Sequence, residues 1–179
     1  MADYTVLGID PSIAATGLVL LKATGEKQPQ VLLAEEVKPA EAAGFARIRA
    51  IAFSVMSIIH THQPNAIVVE GYSLNLKNAA SVVPLVELGG VLRLMLHLDG
   101  LCWYDPRANQ LKQFVTGHGG APKSHLMMHV LKRWGYTSAT DNIADAYGLA
   151  CIGLAQANRL PGITTPMRAL AGSLILRSN

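Results

Sequence analysis

Two short apolar runs, Val6-Leu-Gly-Ile-Asp10 and Ala66-Ile-Val-Val-Glu70, each close on a carboxylate, and they constrain the fold most. Continuous apolar runs of this length suit strands covered on both faces. After Asp10 a Pro-Ser turn leads to Thr16-Gly-Leu-Val-Leu-Leu21, and Gly25 and Pro29 punctuate the approach to a third run, Gln30 to Val37. The opening therefore reads as a three-stranded antiparallel meander. Glu41 to His62 carries Phe45, Ile48, Ile51, Ala52, Val55, Ile58 and Ile59 at helical spacing, with Arg47 and Arg49 off that stripe, and Pro64 ends it. A strand reached through a crossover helix lies parallel to an earlier one. Placed beside the first strand, the Ala66 run brings Asp10 and Glu70 to one carboxyl edge, where open α/β sheets build their sites.

The remainder alternates less regularly. A polar loop, Gly71 to Lys77, precedes a helix from Asn78 to Leu98, in which Leu85, Leu88, Leu92 and Leu96 form an apolar row. Leu101-Cys-Trp-Tyr-Asp105 reads as a fifth strand, and helices are expected over Pro106 to Thr116, Lys123 to Trp134 and Asp141 to about Asn158. The expected class is α/β: a mixed five-stranded sheet, three antiparallel strands then two parallel, flanked by helices. Residues 1–158 are expected to form one domain and 159–179 a C-terminal tail, whose Arg159, Arg168 and Arg177 suit either a longer nucleic-acid footprint or packing on the body.

Composition narrows the class. The chain has 179 residues, half of them hydrophobic, enough for a real core and too apolar for intrinsic disorder. The longest apolar stretch, Leu85 to Leu98, is broken by Glu87, Arg93 and His97, so no membrane span is expected, nor a secretory signal after Met1-Ala-Asp-Tyr. Cys102 and Cys151 lack partners at metal-site spacing and read as reduced core residues of a cytoplasmic protein. The net charge of +3 is uneven: residues 1–90 sum to −2 and residues 91–179 to +5. Carboxylates engaged with metal would leave a more basic surface toward a polyanion.

Asp10 has an ordinary alternative as a turn-former, and Glu70 one as an exposed strand end. Asp141 and Asp145, four apart, share a helix face, with helix capping as the plain alternative for Asp141. Asp145 sits among Ala144, Ala146, Leu149 and Ala150, where an unpartnered carboxylate is costly to bury. Acids drawn from two strand ends and a late helix need counter-charge, and Mg²⁺ takes oxygen ligands while keeping waters for phosphate substrates.

With these residues in view, Gly8-Ile-Asp-Pro-Ser12 with Thr16-Gly17, Val68-Val-Glu-Gly-Tyr72, the Lys112 and Lys123 segments and Ile143-Ala-Asp-Ala146 resemble RuvC-type Holliday-junction resolvases of the ribonuclease H-like superfamily. The resemblance runs from about Val6 to Leu154. It implies a ribonuclease H-like sheet and a structure-selective endodeoxyribonuclease that resolves four-way junctions by two-metal-ion hydrolysis, with Mg²⁺ or Mn²⁺ as cofactor and a homodimer as the working unit. Asp10, Glu70 and Asp145 fall on the family's metal-binding carboxylates. A further ligand is expected three residues before Asp145, where this chain has Asn142, with Asp141 one place earlier; Asp141 is favoured because a carboxylate serves a divalent ion better than an amide. Lys112 and Lys123 match basic residues beside the scissile phosphate, and their plain alternative is a solvated helix face. Tyr72 or Leu74, with Lys77, lies in the segment that meets the junction, and His118 lies in the Gly-rich approach to Lys123.

Two other readings stay in play: a branched-DNA-binding protein without cleavage, kept alive by Asn142, and a flap- or fork-cutting nuclease of the same family. An ATP-using protein of the actin and sugar-kinase group shares the Gly-Ile-Asp opening but needs a second lobe, for which the length leaves no room.

Overall fold

The computed structural model describes residues 3–40, 43–72 and 79–178. β1 (Thr5–Asp10), β2 (Thr16–Lys22) and β3 (Gln30–Val37) form the antiparallel meander, and α1 (Gly44–His62) crosses over to β4 (Ala66–Val69). β4 pairs parallel with β1, so the strand order is β3-β2-β1-β4. α2 (Ala79–Leu98), α3 (Ala108–Thr116), α4 (Lys123–Trp134), α5 (Asp141–Gln156) and α6 (Thr165–Gly172) follow. No helix among the described residues is long and apolar enough to cross a membrane.

The sheet has four strands where five were expected. The Leu101 to Asp105 segment makes a single parallel bridge between Tyr104 and Val68, through Tyr104 N–H to Ile67 O and Val69 N–H to Tyr104 O, both 2.9 Å. Its other side is taken by the tail, where Trp103 and Arg177 exchange backbone hydrogen bonds of 3.1 and 2.8 Å. Gly100, at a positive φ of 68°, and Pro106, which has no N–H to donate, bound the segment too closely for a ladder.

Strand alternation sorts the core into two layers. On one face Leu7, Ile9, Leu18, Leu20, Ile67 and Val69 pack with α1 and α2. On the other, Val6, Val19, Leu21 and Val68 pack with α5 and the helices outside it. Each fully buried Leu, Ile or Val contributes roughly 1.5–3 kcal/mol by leaving water. α5 is buried on nearly every side, between the sheet and α3, α4 and α6, as a helix apolar all round must be. Phe114, Trp134, Tyr147 and Tyr136 run in stacked and tilted contact across this layer, with centroid separations of 6.3, 5.9 and 4.5 Å.

Two local expectations are corrected, and the tail takes the second of its two alternatives. Phe45 is exposed rather than part of the α1 stripe, because the first turn of α1 precedes its contact with the sheet at Ile48. Cys151 is a core thiol whose pKa burial raises, but Cys102 is exposed on the bridge segment. The tail contains α6, whose Met167 and Ala171 are buried and which rests on α5 and α3. Pro166 sits in its first turn, where a missing N–H costs nothing.

Candidate active site at the carboxyl edge of the sheet

Asp10 ends β1 and is only 6% exposed; Asp145, in the second turn of α5, is 8% exposed. Register places them. Asp10 pairs with Gly17 of β2, and a Cβ at Gly17 would lie 2.4 Å from the backbone oxygen of Asn142. One pleat back, a Cβ at Gly8 would lie 2.1 Å from the backbone oxygen of Ala146. Only glycine permits this approach, so the backbone of α5 rests on the sheet at two points that bracket Asp145 beside Asp10. Val6, Gly8 and Asp10 occupy one face of β1, the face that α5 covers.

Glu70 follows β4, and its N–H donates to Ile9 O at 2.9 Å, which sets it next to Asp10 across the parallel pair. The pleat continued one residue beyond Val69 assigns Glu70 to the face of Val68, again the α5 face. The three acids thus stand on neighbouring backbone positions of one edge. Their chemistry suits a hard divalent cation, which takes carboxylate oxygens. As they stand, no three His, Cys, Asp or Glu side chains among the described residues are drawn together closely enough to hold an ion.

At the start of α5, Thr140 rather than Asp141 is the N-cap, its hydroxyl accepting from Ile143 N–H at 3.3 Å. Asp141 occupies the first turn, half-buried, with its carboxylate accepting from Asn142 N–H at 3.1 Å. The Asn142 amide donates to Ala15 O and to Glu36 Oε1, both at 2.9 Å, so its nitrogen is committed to the β2–β3 side.

Glu36 and Arg47 were not singled out from the sequence. Glu36 pairs with Gly17 in the β2–β3 register, extending the row from Asp10 through Gly17. Its side chain, 10% exposed, also accepts from Thr140 Oγ1 at 2.8 Å and pairs with Lys38 at 2.6 Å. The Lys38 ammonium, then Thr140 and Asn142, hold its carboxyl below the ordinary value of 4.5 against the opposing effect of burial. The signal was available: a Glu within a strand is as poorly suited there as Glu70. Arg47 donates to Ile13 O at 2.7 Å, Pro39 O at 2.9 Å and Ala14 O at 3.1 Å, fastening the turn that follows Asp10. Its partners are carbonyls remote in sequence, which no periodicity reveals.

Lys112 is half-buried on α3, beside Leu111, which is sunk in the α5-side core. Lys123 begins α4, and its side chain lies outside the described residues, as do Leu74 and Lys77. His118 is exposed, and its Nδ1 accepts from Gly120 N–H at 3.1 Å, a bond that shapes its own turn. Tyr72 is 42% exposed, with the Arg93 guanidinium 4.4 Å from its ring centroid.

A family model described as "Crossover junction endodeoxyribonuclease RuvC" matches residues 6–153, spanning every element that carries these acids. The chain belongs to the RuvC family. It is therefore a metal-dependent endodeoxyribonuclease. A RuvC from Brevibacillus brevis is 31% identical over 147 residues, covering 81% of this chain and 88% of that protein. A RuvC from Heliobacterium modesticaldum is 29% identical, covering 81% and 90%. Among solved structures, Thermus thermophilus RuvC superposes with a TM-score of 0.72 at 23% identity over 97% of this chain and 99% of that one, which shows the shared ribonuclease H-like fold. T. thermophilus RuvC in complex with Holliday junction substrate gives a TM-score of 0.66 at 26% identity, covering 82% and 90%.

Proposed function

We propose that this RuvC-family chain resolves four-way DNA junctions, with two Mg²⁺ ions, replaceable by Mn²⁺, held by Asp10, Glu70, Asp145 and Asp141. One observation carries the reading: Asp10 and Asp145 are both buried at the contact of β1 with α5, and the Glu70 backbone is bonded alongside. Two ions bound there supply activation of water and stabilisation of the departing oxygen. The protein's own part is positional. Strand ends and the glycine-seated helix hold the acids at fixed backbone points, from which their side chains would reach an ion. The Lys112 and Lys123 ammonium groups offset charge developing on the phosphate. Asp141 serves better than Asn142 as the fourth ligand, because the Asn142 amide is tied to Ala15 and Glu36.

Tyr72, Leu74, Lys77 and His118 are proposed to face DNA, reading branch shape and phosphate charge more than bases. A homodimer suits this role, since two sites related by a two-fold axis cut symmetry-related strands. Exposed Val83, Leu94 and Leu98 on α2 and Phe53 on neighbouring α1 support such a face. The proposed compartment is the cytoplasm.

The test uses synthetic four-way junctions with Mg²⁺. Paired symmetric nicks are expected from the wild type, a loss of ~10³-fold or more for Asp10→Asn, Glu70→Gln and Asp145→Asn, and a larger loss for Asp141→Asn than for Asn142→Ala. Undiminished cutting by the first three variants contradicts the reading. A second reading, junction binding without cleavage, rests on Asn142 standing where the resemblance places a further metal ligand. Salt-sensitive binding that survives EDTA, with no nicking under any divalent ion, selects it. Flap and fork substrates in the same assay separate the junction cutter from its relatives with other preferences.

A further inference from the structure

The segment just beyond β4 is fastened on three sides. Glu70 N–H donates to Ile9 O at 2.9 Å, and Gly71 N–H donates to Pro106 O at 2.8 Å. From α2, Arg93 donates through Nη2 to Glu70 O at 2.9 Å and through Nη1 to Gly89 O at 3.0 Å. The same guanidinium lies over the Tyr72 ring, 4.4 Å from its centroid. The ring also fills the space above Gly89, where a Cβ would stand 2.6 Å from Tyr72 Cε1. A cavity of about 40 Å³ remains, lined in part by Pro11, Glu70, Tyr72, Leu85 and Arg93. It has room for a few waters and none for a base or nucleotide, so Arg93 is not lining a ligand pocket.

We propose that Arg93 is a positioning residue that joins the Glu70 main chain to the Tyr72 ring. Contact with DNA at Tyr72 is thereby transmitted to the carboxylate that takes the metal. The inference rests on the reading of Glu70 as a metal ligand and Tyr72 as a DNA contact. The chemistry requires arginine. A planar fork satisfies two carbonyls in its own plane while its face stays free for an aromatic ring, and a lysine ammonium cannot do both. Arg93 touches neither DNA nor ion in this account; it orients the groups that do, as partners outside the ligand shell orient metal ligands elsewhere.

The test is Mn²⁺ binding to the DNA-free protein, read from the electron paramagnetic resonance signal of free Mn²⁺, beside junction binding in EDTA. Arg93→Met is expected to weaken Mn²⁺ binding about 10-fold, and to raise the metal concentration for half-maximal cleavage by the same factor. Arg93→Lys is expected to recover only part of each loss. Gly89→Ala, whose methyl would crowd the ring at 2.6 Å and the guanidinium at 3.0 Å, is expected to weaken both Mn²⁺ binding and junction binding in EDTA severalfold. Met128→Ser, at an exposed position of α4, is expected to change neither. Should Arg93→Met fail to fold, Arg93→Lys carries the comparison. Wild-type Mn²⁺ affinity in a folded Arg93 variant overturns the proposal, provided Glu70→Gln has lost affinity in the same assay. Wild-type affinity in Glu70→Gln overturns the ligand assignment instead, and the link to Arg93 with it.

Discussion

The two faces of the sheet solve the same packing problem differently. On the α1/α2 face, Leu7, Ile9, Leu18 and Leu20 meet Ile51, Val55, Leu88, Leu92 and Leu96, so side chains fill the gap between layers. On the α5 face, Gly8 and Gly17 remove side chains from the gap, and the helix backbone itself touches the strands. The first kind of contact tolerates exchange of one apolar residue for another. The second leaves nothing to exchange, and it lies where Asp10, Asp145, Glu36 and Asn142 must keep their relative positions. The molecule concentrates its precision at the seam that carries the acids. Among the described residues, the α1/α2 face reaches the site through two cations, Arg47 at the Ile13–Ala14 turn and Arg93 at Glu70 O.

The sharpest way to break this contrast is a matched pair of substitutions. Gly8→Ala places a methyl 2.1 Å from the Ala146 oxygen, a clash with backbone that no rotamer relieves. It is expected to cost about 3 kcal/mol or more in denaturant unfolding, and to reduce cleavage per folded molecule at least 10-fold. Leu92→Ala on the other face is expected to cost a similar ~2–4 kcal/mol through its cavity, yet to leave cleavage per folded molecule within about twofold. Equal losses of activity in the two variants would erase the distinction.

A smaller effect is expected at Glu36. Its carboxyl titrates below the ordinary value of 4.5 in the folded chain. Its contribution to stability is therefore complete above that value and is lost as pH falls through the lowered folded pKa. Glu36→Gln is expected to cost about 1 kcal/mol near neutrality, and to flatten the fall of Tm with acid. Parallel Tm–pH curves for variant and wild type would remove Glu36 from the seam. The smallest effect belongs to the outer surface of α1. Phe53→Ser is expected to change monomer stability by no more than ~0.5 kcal/mol, while weakening self-association measured by sedimentation. Unchanged association moves the proposed two-fold face elsewhere.

Elements with their own periodicity were legible from the sequence. β1 to β4 announced themselves as apolar runs, and α4 begins and ends at the residues expected, because Pro122 and Gly135 bound it. The placement of Asp10 and Glu70 at one edge was legible for a different reason: each closes an apolar run, and a crossover helix makes the two strands parallel. What escaped was whatever depends on a remote partner. The Leu101 segment looks like a strand until Arg177 arrives to claim its free side. Arg47 reads as lying off an apolar stripe and Arg93 as a break in an apolar stretch, since carbonyl acceptors carry no sequence signature. The sequence does not separate Glu36 from Glu35, because only the register shows which of the two faces Asn142. Thr164-Thr-Pro166 did hold a readable helix start for α6, obscured by the shortness of the helix that follows.

The central claim is that Asp10 and Asp145, with Glu70 alongside, share divalent metal at the seam of β1 and α5. Crystals grown with Mn²⁺ and measured at the manganese absorption edge test it directly. The account predicts an anomalous peak with oxygens of both Asp10 and Asp145 within about 2.1 Å, and Glu70 reaching the same ion or its neighbour. Manganese found only elsewhere, or Asp10 and Asp145 ligating separate and distant ions, would contradict it.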